Sequence, residues 1–372
     1  MKKNLFRRVG AVVLTAVMVA CLSVVSFGAQ TETSGIQLIG ITSPVSFHSE
    51  LQKEVLDAGY ENIADYFNLD IKEKVERSLP DGITVSWTCE AAELPEAFTV
   101  SVSMNEDMSD AKEYAAVPAE EDGVFTYAIQ NLFLGTTYYY TVSDGVQTSE
   151  TGSFTVDEQG PRNLYVDGVT NIRDLGGWKT NSGEVIPQGR IYRSGQLNIE
   201  KTQDLCITEE GIRTMLDDLH IRTEIDIRAE DENGGITISP LGETVNYCFL
   251  PLVYAKLDPD NLKAVFELMT HEENYPLVYH CKIGTDRTGF ITYLLFGLLD
   301  VPEDTIYTDY VFSNLGMIDG NRNHKRLVKG LQENFGVKKL TETPNYYARE
   351  YLRGIGVTDE QMDKIVEIIM GK

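Results

Sequence analysis

Hydrophobic and polar positions divide the chain into two regimes. From Gly82 the apolar side chains recur at every second position: Ile83, Val85, Trp87 and Cys89 alternate with Thr84, Ser86 and Thr88, the spacing of a strand with one buried face. Similar runs follow at 98–103, 124–129, 138–142 and 152–156, separated by turn-rich stretches such as Asn105 to Asp110, Glu120 to Gly123 and Asp144-Gly145. Short strands at regular spacing with turns between them predict an all-β antiparallel sandwich over 80–157. Trp87 and the run Tyr138 to Tyr140 read as core and strand packing rather than as a ligand platform.

Past a linker at 157–161 the period lengthens. Thr208 can cap a helix with Glu209 and Glu210 in its first turn, and Ile212, Met215, Leu216 and Leu219 lie at helical spacing. Strand-like runs at 221–228, 247–252 and 277–280 alternate with a helix from about Asp260, whose Leu262, Val265, Phe266 and Met269 share one face. A strongly apolar helix through Phe290, Ile291, Leu294, Leu295 and Leu298 comes next, then helical patterns at 302–315, 323–335, 346–353 and 358–370. This alternation predicts an α/β domain over 163–372, a parallel sheet flanked by helices. Residues 30–79 are mixed and polar, with amphipathic stretches at 51–56 and 71–75, and read as a lead segment without chemistry.

The amino terminus changes the expected location. Lys2, Lys3, Arg7 and Arg8 precede an apolar run from Val9 to Val25, and Ser26, Gly28 and Ala29 close the segment. Residues 1–29 therefore read as a secretory signal peptide, and the protein as secreted or cell-surface associated. Lipid attachment at Cys21 ranks second, because apolar residues rather than a polar tether follow it. A net charge of -25 argues against a nucleic-acid partner, so an anionic substrate must be drawn by a local positive site. Cys89, Cys206, Cys248 and Cys281 lack the dense spacing of a disulfide scaffold, and no structural disulfide is expected.

One stretch carries chemistry: His280-Cys-Lys-Ile-Gly-Thr-Asp-Arg-Thr-Gly289, with five residues between Cys281 and Arg287 at a strand-to-helix junction. Backbone N–H groups of such a loop can converge on an anion, and the positive end of the following helix adds to the field. That field favours a thiolate, so the Cys281 pKa should fall below the ~8.5 of a free cysteine. Arg287 offers a planar pair of donors to two phosphate oxygens. Lys282, Ile283, Gly284 and Thr285 complete the expected phosphate-binding loop, Gly284 allowing a close backbone turn. Thr288 can donate its hydroxyl to the thiolate. In-line attack by Cys281, protonation of the leaving oxygen by a positioned acid, and hydrolysis of the phosphocysteine need no metal and no cofactor. Cys89, Cys206 and Cys248 are read as inert core residues.

Three blocks resemble the bacterial secreted, cysteine-dependent tyrosine and dual-specificity protein phosphatases: Asn171-Ile-Arg-Asp-Leu-Gly-Gly177 with Gly189-Arg-Ile-Tyr-Arg193-Ser194, then Asp226-Ile-Arg228, then the Cys281 loop. The resemblance implies Cys281 as nucleophile, Arg287 as phosphate clamp and Asp286 as general acid. Asp226 competes for the acid role, because other phosphatases of this class take it from a separate loop. Asp174 is a third candidate, whose blander reading is an ion pair with neighbouring Arg173; His280 and Arg193 are read as supporting residues. Many relatives have lysine where Thr285 stands, which weakens a phosphoinositide reading, whereas Lys282 directly after the nucleophile favours one. The run from Leu132 through Tyr138 to Val142 resembles a strand corner of fibronectin type III domains, with Trp87 as their core tryptophan. The resulting expectation is an exported protein tyrosine phosphatase, dual specificity left open, acting on a phosphorylated protein. A phosphoinositide or inositol-phosphate phosphatase is the alternative, and a non-catalytic phosphate-binding or adhesion module the third reading. The sandwich is a candidate contact surface for another protein or the cell surface.

Overall fold

The computed structural model describes residues 35–62, 75–90, 95–197, 206–254, 256–318 and 321–372. The expected signal peptide, with Cys21, lies outside them, as do residues 71–74 of the second amphipathic stretch. No helix among the described residues is long and apolar enough to cross a membrane.

Strands β1 (Ile36–Ile39), β2 (Ile83–Cys89), β3 (Phe98–Ser103), β4 (Lys112–Ala116), β5 (Ala119–Glu121), β6 (Val124–Ile129), β7 (Thr137–Ser143) and β8 (Gly152–Thr155) form two four-stranded antiparallel sheets, β1-β2-β6-β5 and β4-β3-β7-β8. Their alternating apolar residues meet in one core, where Trp87 packs edge-on to Phe98 at 5.2 Å between ring centres. The Tyr138 hydroxyl reaches back five residues and accepts the Phe133 backbone N–H at 2.9 Å, pinning the turn before β7.

The α/β sheet has the order β12-β11-β13-β10-β9, built from β9 (Arg173–Asp174), β10 (Ile191–Ser194), β11 (Thr223–Asp226), β12 (Asn246–Phe249) and β13 (Leu277–His280). Strands β10 to β13 pair in parallel, but β9 runs antiparallel to β10. The expected parallel sheet holds for β10 to β13, and the antiparallel β9 makes the whole sheet mixed. A two-residue strand returned by a loop can close an open edge this way without a crossover helix. Helix α1 (Glu50–Ala58) precedes both domains' main bodies, and α2 (Glu209–Arg213), α3 (Pro259–Leu268), α4 (Asp286–Leu298), α5 (Glu303–Phe312), α6 (His324–Phe335), α7 (Pro344–Gly354) and α8 (Asp359–Met370) belong to the second. Thr208, Asp258, Asn323, Thr343 and Thr358 accept first-turn N–H groups and fix where the helices begin. Helix α4 is buried on every side from Thr288 to Leu298, with its apolar side chains in the α/β core.

The lead segment is not an appendage. Its β1 completes a sandwich sheet, whereas α1 puts Val55 into the α/β core. The Gln52 side chain donates to the carbonyls of Arg77 at 2.9 Å and Leu79 at 2.8 Å and accepts from Asn163 Nδ2 at 3.0 Å. Polar groups buried at a seam must be paired, and Gln52 does that for three chain segments at once. The lead segment reads as carrying no chemistry, and what it supplies here is structural pairing, which a buried glutamine within a polar stretch does not announce by any period.

Arg162, just past the expected linker, bolts the two bodies together. Its guanidinium donates to Asp174 at 2.8 Å, to Leu132 O at 3.0 Å and to Asn131 O at 2.6 Å, and lies over the Phe133 ring at 4.1 Å. Asn131 exchanges two further hydrogen bonds with the Tyr165 backbone, and Gln188 two with Leu134. Arg162→Met would leave the buried Asp174 carboxylate and two carbonyls without their donor, at a cost of about 3–5 kcal/mol. The expected outcome is an earlier urea midpoint; an unchanged midpoint would show that the bolt contributes nothing.

Candidate active site

The register of the α/β sheet aligns Ser194, Asp226 and His280 as neighbouring carboxyl-end residues of β10, β11 and β13. The loop 281–285 leaves the sheet at that row and enters α4, the place where an open α/β sheet holds its ligands. Glu224 and Asp226 share one face of β11, and both meet His280: Nε2 faces Glu224 at 2.8 Å and Nδ1 lies 3.9 Å from Asp226. Nδ1 also faces the Cys281 carbonyl at 3.3 Å. With oxygen acceptors at both nitrogens, the doubly protonated ring fits. Burial pulls the His280 pKa down, but Asp226 and Glu224 outweigh it and the net direction is up.

The loop carbonyls are drawn outward. Gly284 O accepts from Arg193 at 2.7 Å and from Asn171 Nδ2 at 3.0 Å, and the same Asn171 amide reaches Ile283 O at 3.1 Å. Lys282 O accepts from the Gln196 N–H at 3.1 Å. A peptide unit whose carbonyl is held outward presents its N–H inward, which is how such a loop becomes an anion cradle. Gly284 has φ +67°, and a side chain there would strike the Ser194 carbonyl, so this turn requires glycine. Asn171 itself takes φ 57°, a conformation asparagine tolerates better than most residues. Its backbone N–H donates to Ser78 Oγ at 2.9 Å, so the lead segment reaches the loop through one residue.

Behind the loop, Asp309 of α5 sits between two fully buried arginines. Arg173 donates to it at 2.7 Å and Arg193 at 2.6 Å, and Arg193 also holds Thr292 at 2.8 Å. Burial pushes the Asp309 carboxyl up, and the two guanidiniums overcome this and hold it below the usual range. Arg173 is therefore the partner of Asp309 and not of Asp174. Asp174 pairs with Arg162 and accepts the N–H groups of Gly176 at 2.7 Å and Gly189 at 2.6 Å. Chain neighbours in a strand point to opposite faces, which is why adjacent Arg173 and Asp174 find different partners.

Cys281 is buried at the base of the cradle. Burial raises its thiol pKa, but the Arg287 guanidinium, the Thr288 hydroxyl and the N–H groups of Thr288 and Ile283 outweigh it, and the net direction is down. Thr288 Oγ1 also accepts the Cys281 N–H at 3.1 Å. Arg287 is oriented by Glu232 at 2.6 Å and by Leu252 O at 3.2 Å. Lys282 is half-buried and adds its charge to the field at Glu232. Thr285 is fully buried and its hydroxyl donates to Ile283 O at 3.3 Å, a brace within the phosphate-binding loop.

The three candidate acids differ sharply. Asp226 accepts from Arg228 at 2.6 Å, Tyr247 at 2.8 Å and Asn233 at 3.0 Å. Burial pushes its carboxyl up, yet His280 and Arg228 hold it far below the carboxylate range, and it is sealed from solvent. Asp174 is likewise fully engaged at the domain seam. Asp286, at the first turn of α4, accepts from Tyr310 at 2.7 Å, from Arg326 Nε and Nη2 at 2.9 Å each, and from Arg322 Nε at 3.4 Å. It is the one of the three that the Cys281 loop runs into and that is not fully buried.

A sequence profile described as the tyrosine phosphatase family matches residues 164–370. The chain belongs to the tyrosine phosphatase family. A protein of Cupriavidus necator, provisionally named a tyrosine-protein phosphatase, is 26% identical over 215 residues, covering 50% of this chain and 74% of its own. Among solved structures, the catalytic core of the S. cerevisiae PP-IP phosphatase SIW14 with citrate matches at TM-score 0.30 and 14% identity, covering 46% of this chain and 96% of its own. P. aeruginosa TpbA in complex with pTyr matches at TM-score 0.26 and 16% identity, covering 50% and 88%. The matched range of the phosphatase family begins after the sandwich and contains the whole cradle.

Reasoning from the sequence missed Glu224, Glu232, Asp309, Asn171 as a loop brace and Ser78. Asp309 left a trace: it is an acid three residues after Ile306 and three before Phe312, on a helix face otherwise apolar. Glu232 and Ser78 left none. Alkylation of Cys281 by iodoacetamide should titrate below the ~8.5 of an ordinary thiol, and Arg287→Ala should move that midpoint to higher pH. A midpoint that stays put would remove Arg287 from the thiolate's field. Ser78→Ala leaves the Asn171 N–H unpaired, costing about 1–3 kcal/mol; kcat should drop with KM little changed, and Ser78→Thr should recover it. Equal kcat in both variants would detach Ser78 from the loop.

Proposed function

We propose that this protein tyrosine phosphatase is an exported enzyme that works through a phosphocysteine intermediate on Cys281. The single observation that carries the reading is the buried Cys281 thiol at the start of a loop whose carbonyls are held outward, its N–H on Thr288 Oγ1 at 3.1 Å. Cys281 Sγ attacks phosphorus as the bond to the tyrosine oxygen breaks. Arg287 follows the spreading charge on the equatorial oxygens, and the protonated Asp286 carboxyl delivers its proton to the leaving oxygen. Water, activated by the same Asp286 now acting as base, then cleaves the S–P bond and releases phosphate. His280, Glu224, Asp309 and Arg193 take no part in bond making; they fix the loop.

Export is supported by the basic, then apolar, then small-residue order of 1–29. A fibronectin III-like sandwich is supported by the strand order, the buried Trp87 and the Tyr138 hydroxyl on the Phe133 N–H. Its role would be contact with another protein or the cell surface. Lys282, directly after the nucleophile, favours inositol phosphates as a second substrate class. Cys281→Ser should abolish turnover of a phosphotyrosine peptide, with residual rate at least about 10³-fold down, on the order expected for loss of a nucleophile. A panel of phosphotyrosine, phosphoserine and inositol-phosphate substrates on the mature protein assigns the substrate; turnover undiminished in Cys281→Ser would overturn the mechanism.

A further inference from the structure

A carboxylate has about four acceptor sites. At Asp286 they are filled by Tyr310, by both donors of the Arg326 fork and by Arg322. Burial pushes this carboxyl up, but Arg326, Tyr310 and Arg322 outweigh it, and Asp286 is held below the usual range. Four donors on the carboxylate favour its ionised form, whereas a leaving tyrosine oxygen needs its proton. Taking Arg326 away would empty two of those sites and favour the protonated acid.

Arg326 is suited to being taken. Its side chain is 47% exposed whereas that of Asp286 is 14% exposed, so the guanidinium can be approached from solvent without opening the fold. It projects from the first turn of α6, beside the Tyr254 ring at 5.9 Å. The segment 321–329 carries Arg322, Lys325, Arg326 and Lys329 and no acid, in a chain of net charge -25. Such a local reversal of sign at the rim draws anions to one place on an otherwise repelling surface. A planar fork that already holds one carboxylate bidentately will hold another, or a phosphate, equally well.

We propose that Arg326, with Arg322, is a second anion site of the phosphatase, which takes an acidic or phosphorylated side chain next to the substrate phosphotyrosine and in doing so releases Asp286 to serve as general acid. The proposal rests on the reading of Asp286 as that acid. The arginine fork exchanges one anion for another, so charge at the rim balances. Asp286, left with Tyr310 and the nearby Tyr254 ring, then takes a proton from solvent and passes it to the tyrosine oxygen as the P–O bond breaks and the S–P bond forms. A neutral flanking sequence leaves the clamp closed. The enzyme would therefore select acidic phosphotyrosine segments through kcat as well as through KM.

The test compares kcat/KM on two phosphotyrosine peptides that differ only in having glutamates or alanines beside the phosphotyrosine. The wild-type protein should prefer the acidic peptide by about tenfold, within the usual range of coupling between two sites. Arg326→Gln should bring that ratio close to one, and Arg326→Lys, which keeps the charge without the fork, should restore part of it. In Arg326→Gln the alkaline limb of the pH profile for the alanine peptide should also move to higher pH, since a less clamped acid keeps its proton longer. A merely structural ion pair would lower both peptides equally and leave the limb in place, and that result overturns the proposal. So would a wild-type ratio near one, or an inositol bisphosphate turned over faster than either peptide with the same Arg326 dependence. Turnover that persists in Cys281→Ser would instead overturn the underlying mechanism, and an alkaline limb unchanged in Asp286→Asn the assignment of the acid.

Discussion

An anion cradle made of backbone N–H groups exists only if the matching carbonyls are held elsewhere, and here that restraint falls on Arg193 and Asn171. Between them they hold the carbonyls of Ile283 and Gly284 from outside the loop. Arg193 can be buried there because Asp309 neutralises it, and Asp309 is kept ionised by a second guanidinium, Arg173, which in turn holds Asn171 Oδ1 at 2.6 Å. The chain of contacts closes on itself. A buried charge cluster is a weak source of net stability, but it is a strong source of geometry, since each member loses its compensation if the others shift. The shape of the loop is thus stored in residues that never meet the substrate.

Electrostatic contrast does the rest. Acidic groups on β11 surround His280, and Arg287 stands against Glu232, so the positive field at Cys281 is local and framed by carboxylates. Fully buried Asp226 and part-exposed Asp286 have the same chemistry and opposite prospects. One is sealed among Arg228, Tyr247 and Asn233, and the other is held by an arginine that solvent can reach. Environment rather than residue type separates a strut from a candidate acid.

Much of this was legible beforehand. Period-two runs gave the sandwich strands β2, β3, β6, β7 and β8, and the Cys281 loop with its flanking strand and helix was readable because cysteine, glycine, arginine and threonine at that spacing satisfy no packing need. The short strands β4 and β5 escaped, being mostly exposed and carrying little apolar alternation. So did the antiparallel β9, whose two residues are too few for any period, and with it the true partners of Arg173 and Asp174. The second layer of the site escaped for a different reason. Asn171, Asp309, Glu232 and Ser78 come from separate parts of the chain, and only tertiary contact brings polar residues of that kind to one loop.

The path of the chain through the two bodies has a meaning beyond stability. It visits the sandwich in β1, crosses to the α/β core with α1, returns through β2 to β8 and crosses back at Arg162. The two crossings that flank the main sandwich run lie side by side, Asn163 Nδ2 donating to Ser78 O at 2.9 Å, and the Asp81 N–H ties in the first crossing by donating to Phe47 O at 2.9 Å. Ends that meet at one seam let the sandwich run be inserted between two neighbouring points of its host. The catalytic body, by contrast, is sewn from both sides of that seam, so its boundaries in the folded protein are not those of any single stretch of sequence.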